Sequence, residues 1–231
     1  MDAQPPPGTP PPATPPPGAP PPGTPPPGTP PPATPPLAAS TAVPYPVNVQ
    51  ITPQAEYNRL LPLVKWLLLI PHWLVLGFVA IGAFIALILA WFAVLFTRRY
   101  PEGLFNFLVG FQRWALRVSA YGLLMTDKYP PFSLQDDPSY PVRLSIEYPE
   151  HGVDRWRPLF AWILAYPINL VAQVVLFVAY IASILTFFSI LFTKQFPEGI
   201  FNLTRGALQL QTRASAYADW MVTVYPPFDF G

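Results

Sequence analysis

From Tyr45 onward the apolar and polar positions form a pattern that occurs twice. The stretch Tyr45-Pro-Val-Asn-Val-Gln-Ile51 alternates, with Val47, Val49 and Ile51 on one side, the period of a half-buried strand. Leu60 to Phe96 is then apolar almost throughout, with Lys65 and His72 as its ionisable groups. A corner follows, Thr97-Arg-Arg-Tyr-Pro-Glu-Gly-Leu-Phe-Asn106, and after it about twenty residues of helical pattern. Tyr129-Pro-Pro-Phe132 is expected to end that helix, because two successive prolines cannot continue one.

The second copy is offset by 95 to 96 residues. Tyr140 to Ile146 matches Tyr45 to Ile51, and Arg59, Pro62, Trp66 and Pro71 match Arg155, Pro158, Trp162 and Pro167. Thr193-Lys-Gln-Phe-Pro-Glu-Gly-Ile-Phe-Asn202 repeats the corner. Arg213-Ala-Ser-Ala-Tyr217 repeats Arg117-Val-Ser-Ala-Tyr121, and Tyr225-Pro-Pro-Phe228 closes the copy. The chain therefore divides into a tail, residues 1–43, and two tandem modules, residues 44–134 and 135–231. A repeat of this regularity governs the fold and must be found before any element is assigned.

Each apolar block exceeds the roughly 20 residues that cross a bilayer core as a helix. The fold class expected is an all-α integral membrane protein with two pseudo-symmetric modules. Each module holds a long apolar block, an amphipathic helix and a short strand. One straight helix of each block would run about 54 Å at 1.5 Å per residue, so a hairpin or a span kinked at Pro71 and Pro167 is expected. Basic residues flank both ends of both blocks (Arg59 and Lys65, Arg98 and Arg99, Arg155 and Arg157, Lys194). The positive-inside rule reads that as all ends on one side, which favours hairpins and four short passes. Trp66, Trp73, Trp91 and Trp162 near the block edges suit interfacial anchors.

The segments after the corners carry polar groups that make spanning costly. Arg205, Gln209 and Arg213 recur every four residues on one face of the second, and Arg113 and Arg117 form the matching stripe in the first. An amphipathic helix in the headgroup layer is expected, with Arg113, Arg117, Arg205 and Arg213 as candidate contacts to lipid headgroups or to an interface. The alternative is a helix packed on the other repeat.

Composition changes this picture little. Of 231 residues, 52% are hydrophobic and 11% charged, against about a quarter charged in soluble domains. The net charge of +1 and the lack of a basic stripe exclude a nucleic-acid partner. Without cysteine there is no disulfide, thiolate chemistry or Cys-ligated metal. Residues 5–36 repeat Pro-Pro-Pro-Gly-Thr with Ala variants. That tail is expected to be a disordered polyproline II spacer, or an arm for a proline-binding partner, and it lacks the features of a signal peptide.

The doubled corner is the main candidate for chemistry. Glu102 and Glu198, related by the repeat, could act as acid and base or hold a cation. Alternatively Pro101, Glu102, Pro197 and Glu198 open helices, with the acid facing the positive end of the macrodipole. Gly103 and Gly199 would allow close backbone approach, and Asn106 and Asn202 would satisfy backbone groups at the corner. Arg117 and Arg213 would pair with Glu102 and Glu198. His72 is placed at the interface and His151 in an exposed loop. No catalytic residue, cofactor or metal ligand is assigned.

The strings "LFTRRYPEGLFNF", "RWALRVSAYGLLMTDKYPPFSL" and "RPLFAWILAYP" resemble a bacterial membrane family catalogued as domain of unknown function 4389, over nearly everything from Tyr45 to Phe230. The resemblance implies a bacterial cell-envelope setting and supplies no activity. The expected function is a non-enzymatic inner-membrane scaffold or accessory subunit, with membrane lipids and a larger membrane complex as partners and the tail cytoplasmic. The alternatives are a lipid-binding or bilayer-shaping protein, and a small transporter with inverted repeats.

Overall fold

The computed structural model describes residues 45–228; the readings made for the Pro-rich tail fall outside them. The order of elements is β1 (Val47–Ile51), α1 (Leu61–Thr97), α2 (Glu102–Gly122), β2 (Val142–Ile146), α3 (Arg157–Thr193) and α4 (Glu198–Ala218). Both repeats lie in one unit, Pro44–Gly231.

Each apolar block is a single helix of 37 residues. The hairpin expectation is therefore corrected: no turn interrupts either block. Pro71 and Pro167 each remove one amide donor, yet both helices run through them. At 1.5 Å per residue each is about 55 Å long.

The long helices run antiparallel. Trp91 Nε1, near the end of α1, donates to the Pro158 carbonyl at the start of α3, at 3.2 Å. At the far end the Tyr57 amide, just ahead of α1, donates to the Lys194 carbonyl after α3. Consequently the two corners lie at opposite ends of the helix pair. Each long helix buries a narrow stripe of mostly small residues, Ala83, Ala86, Ala90 and Val94 on α1 and Ala161, Ala165, Ile168 and Ala172 on α3. Small side chains let the neighbouring helix come close, which places the bulky residues on the outside.

Helix α2 turns back along α1, setting Phe107 against Gly82 and Gly122 against Leu69. Helix α4 does the same on α3. The sheet packs on these two shorter helices, β2 on α2 and β1 on α4, without a close backbone approach between sheet and long helices. The molecule is thus layered: α1 and α3, then α2 and α4, then β1 and β2. The strands pair antiparallel with Val49 opposite Leu144. Their alternation faces Val47, Val49, Ile51, Val142, Leu144 and Ile146 onto the helices and leaves Asn48, Gln50 and Ser145 exposed. The expected headgroup-layer position of α2 and α4 is corrected: they are the buried middle layer.

Their ends differ too. Helix α2 stops at Gly122, well before Tyr129-Pro-Pro-Phe132, because Leu124 turns left-handed (φ 66°) and lets the Met125 amide reach back to the Ala120 carbonyl at 2.9 Å. Trp220 (φ 47°) and Met221 do the same for α4. Left-handed backbone also ends the long helices, at Arg98 (φ 57°) and Lys194 (φ 60°). For a residue with a Cβ this conformation costs roughly 1–2 kcal/mol. Both side chains are exposed, so Arg98→Gly or Lys194→Gly should stabilise the protein by about 1 kcal/mol, and Arg98→Val should destabilise it. Denaturant midpoints that rank Val above Gly at position 98 would contradict the assigned turn.

Candidate functional site

The doubled corner is built from hydrogen bonds. Thr97 Oγ1 donates back to the Ala93 carbonyl (2.7 Å) and accepts from the Arg99 amide (3.2 Å). Thr193 repeats this with Ser189 (2.7 Å) and the Gln195 amide (3.3 Å). The left-handed Arg98 and Lys194 then offer their carbonyls across the molecule, to the amides of Val153 (2.9 Å) and Tyr57 (3.0 Å). Gly152, at φ +81°, makes the first of these bonds possible; a Cβ there would lie 2.7 Å from the Arg98 oxygen. Each corner is thereby tied to the segment that leads into the long helix of the other repeat.

Pro101 and Pro197 are extended N-caps, and Glu102 and Glu198 are the first residues of α2 and α4. Both carboxylates are exposed, facing the positive helix ends, and the two corners stand at opposite ends of a helix pair about 55 Å long. They cannot act as one acid–base pair. Gly103 and Gly199 have no atom within 4 Å of a Cβ position, which corrects the expectation of close approach there. Within α2 the closest approach falls instead at Gly110, where a Cβ would sit 2.8 Å from that of Leu134. Asn106 and Asn202 are exposed and make no hydrogen bond among the described residues, so they do not satisfy the corner backbone.

The arginines face inward. Arg117 is fully buried, donates to the Gln135 carbonyl (3.1 Å), lies 3.8 Å from Asp136 and stacks over Tyr140 with 5.4 Å to the ring centre. Arg213 stacks over Tyr45 at 5.2 Å. The hydroxyls of Tyr140 and Tyr45 donate to the carbonyls of Lys128 and Val224, 2.9 and 3.2 Å away. Each repeat's arginine therefore meets the strand-leading tyrosine of the other repeat, a cation–π contact shielded from water. Arg113 donates to the carbonyls of Leu144 (3.1 Å) and Leu134 (2.9 Å), and Arg205 is half-buried. The headgroup reading of Arg113, Arg117 and Arg213 is corrected on this geometry, because the sheet and its flanking segments cover them; they serve an interface within the chain. Arg117 cannot pair with Glu102, since about 22 Å of helix rise separates them.

Asp136 gathers three arginines: a hydrogen bond from Arg143 and the charges of Arg113 and Arg117 hold its carboxyl below the usual range.

A second set of polar groups is gathered in the first repeat. Lys65, 2% exposed, pairs with Asp127 at 2.9 Å, donates to the Thr126 carbonyl at 2.8 Å and lies over Tyr121. His72 is fully buried: it accepts from Trp114 Nε1 at 3.2 Å and stacks flat on Phe132, ring centres 3.9 Å apart. Its expected interfacial placement is thus corrected. The repeat offset held a usable signal, because Lys65, His72, Trp114 and Asp127 fall opposite Ala161, Ile168, Leu210 and Thr223. Four positions changed together mark a polar cluster belonging to one repeat. Beside it, an open apolar groove of about 450 Å³ runs between Trp66 and Trp73 of α1 and Tyr180 and Phe187 of α3. Among the described residues no group of three or more acidic or histidine side chains could hold a metal ion.

Two measurements test these contacts. A double-mutant cycle on Arg117→Gln and Tyr140→Leu should give a coupling of about 0.5–2 kcal/mol in unfolding free energy; additive effects would dissolve the seam. The second concerns Asp219, which accepts from Gln112 at 3.1 Å. Burial pushes its carboxyl up to about 7, against the opposing effect of that hydrogen bond. Below about pH 4 the group is protonated whether the chain is folded or not. Between about pH 4 and 7 only the unfolded chain ionises, so stability is lost as pH rises through that window and then levels off. Asp219→Asn should flatten this profile, raising the thermal midpoint by several degrees at pH 8 and hardly at pH 4. Parallel profiles for the two proteins would refute the raised carboxyl.

No curated protein and no solved structure matches the chain. The family model described as Domain of unknown function (DUF4389) matches twice, at residues 61–133 and 155–229. Each match takes in one long helix, its corner, the shorter helix and the Tyr-Pro-Pro-Phe segment, and together they cover more than half of the sequence. The chain belongs to the DUF4389 family, in tandem duplicate.

Proposed function

We propose that this protein is a non-enzymatic scaffold or accessory subunit of a bacterial inner membrane, held there by α1 and α3. The observation that carries the reading is the outer surface of these helices. Side chains from Leu63 to Phe96 and from Phe160 to Phe192 stand exposed, among them Phe78 (71%), Phe84 (64%), Phe177 (64%) and Leu185 (63%). Both helices are long and apolar enough to cross a membrane, and about a fifth of their most apolar windows is buried (22% and 17%). Soluble monomers rarely expose contiguous apolar patches beyond a few hundred Å². The doubled acids stand apart at exposed helix starts, so the reading assigns the repeats to architecture and to partner contact. The Pro-rich tail would serve as spacer or partner-binding arm, on the cytoplasmic side.

In membranes from expressing cells, the protein should stay in the pellet through an alkaline carbonate wash and be released only by detergent. Release by carbonate alone would end the membrane reading. Gentle solubilisation should recover it with a defined partner that crosslinks to it; a lone monomer without specific crosslinks would end the scaffold reading.

A further inference from the structure

Resting on that membrane reading, we infer that α1 and α3 lie flat within a single leaflet of a phospholipid bilayer, and that the sheet faces water above them. The partner of the apolar layer is the acyl region of one leaflet; that of the helix ends is the anionic headgroup layer.

Three observations carry this. The first is the layering. The long helices contact α2 and α4, and the sheet lies on the far side of those. Arg113, midway along α2, donates to Leu144, midway along β2, while α2 itself runs back beside α1 from Phe107 at Gly82 to Gly122 at Leu69. The sheet therefore stands level with the middle of the long helices. Were those helices upright, the bilayer's hydrocarbon would meet Asn48, Gln50, Arg143 and Asp136. It would also meet the outer edges of a two-stranded sheet, whose outward amides and carbonyls have no neighbouring strand. Open sheet edges are not found in lipid hydrocarbon, and charged side chains there are expensive. Laid flat, the same molecule keeps every one of these groups in water.

The second is length. Exposed apolar side chains run along the whole of each helix, about 55 Å against a hydrocarbon core of about 30 Å. An upright helix would have to tilt beyond the roughly 0–40° observed to bury that surface. A flat helix has no such mismatch. It needs apolar surroundings on all sides except the stripe against α2 or α4, and that is the distribution α1 and α3 present.

The third is charge. Arg59 and Lys194 are exposed at one end of the helix pair, Arg99 and Arg155 at the other. A spanning pair would put one of these groups on the side disfavoured by the positive-inside rule. In the flat arrangement all four meet one headgroup layer. The one-sided charge pattern and the unbroken helices, incompatible for a spanning protein, then agree. Two helices about 55 Å long and about 10 Å wide would also expand one leaflet and not the other, which gives the protein the means to bend or brace a membrane.

The chain has no cysteine, so single-cysteine variants each carry one thiol. Arg59→Cys, Arg99→Cys, Arg155→Cys, Lys194→Cys and the sheet variant Gln50→Cys would be treated with a membrane-impermeant maleimide, in right-side-out and inverted vesicles of the expressing cells. All five should label from the same face and be protected in vesicles of the opposite sidedness. If residues 59 and 194 label from one face and 99 and 155 from the other, the helices cross the membrane and the inference fails while the membrane reading stands. Labelling of Gln50→Cys from both faces would indicate a water-filled passage between copies and would overturn it equally. Recovery of the protein in the soluble fraction would instead remove the membrane reading on which it rests.

Discussion

Neither repeat can close its own fold. β1 belongs to the first module and packs on α4 of the second; β2 belongs to the second and packs on α2 of the first. A strand pair on its own is marginal in water, and a lone strand would leave Val47, Val49 and Ile51 without a face to cover. The exchange solves this for both copies at once. The same crossing recurs in the carbonyls of Arg98 and Lys194, bonded to Val153 and Tyr57, and in Arg117 and Arg213, stacked on Tyr140 and Tyr45. The duplicated sequence is thus an interlocked pair, and the doubled Arg117 and Arg213, with the corner carbonyls, are occupied in holding that pair together.

Once the strands are exchanged, α2 and α4 must become a middle layer, with the sheet on one side and the long helices on the other. The alanine stripes of α1 and α3 accept them at short range, which directs the remaining aromatic and branched side chains outward. An apolar outer layer and a polar sheet surface then lie on opposite sides of one small molecule. That polarity through the thickness, more than any pocket, distinguishes the protein, and the proposed membrane setting rests on it.

The symmetry is incomplete. Lys65, Asp127, His72 and Trp114 form a buried polar cluster in the first repeat where the second has Ala161, Thr223, Ile168 and Leu210. In the second repeat Arg157 lies over Tyr217, the counterpart of Tyr121, on which Lys65 lies. The cation over the ring is kept, although its position on the long helix differs. Breaking a buried ion pair by removing one partner is costly, so the first repeat has less freedom to change in this region than the second.

By itself the sequence determined the duplication, the two long apolar segments, the alternating strands and the helix starts at Pro-Glu. These follow from period, composition and local backbone chemistry, which act between residues close in the chain. It also held the asymmetric polar cluster, legible as four substitutions at one offset. What only the tertiary structure decided was whether a long apolar segment folds back or runs straight, and which glycine needs its hydrogen: Gly110 beside Leu134, while Gly103 stands in open space. It decided as well what the arginines face. The reason is that an arginine stripe on a helix has the same spacing whether it meets lipid phosphate or a tyrosine ring. The choice belongs to the surface across from it, and here that surface comes from the other repeat, 31 residues away for Arg113 and Leu144, 23 for Arg117 and Tyr140, and 168 for Arg213 and Tyr45.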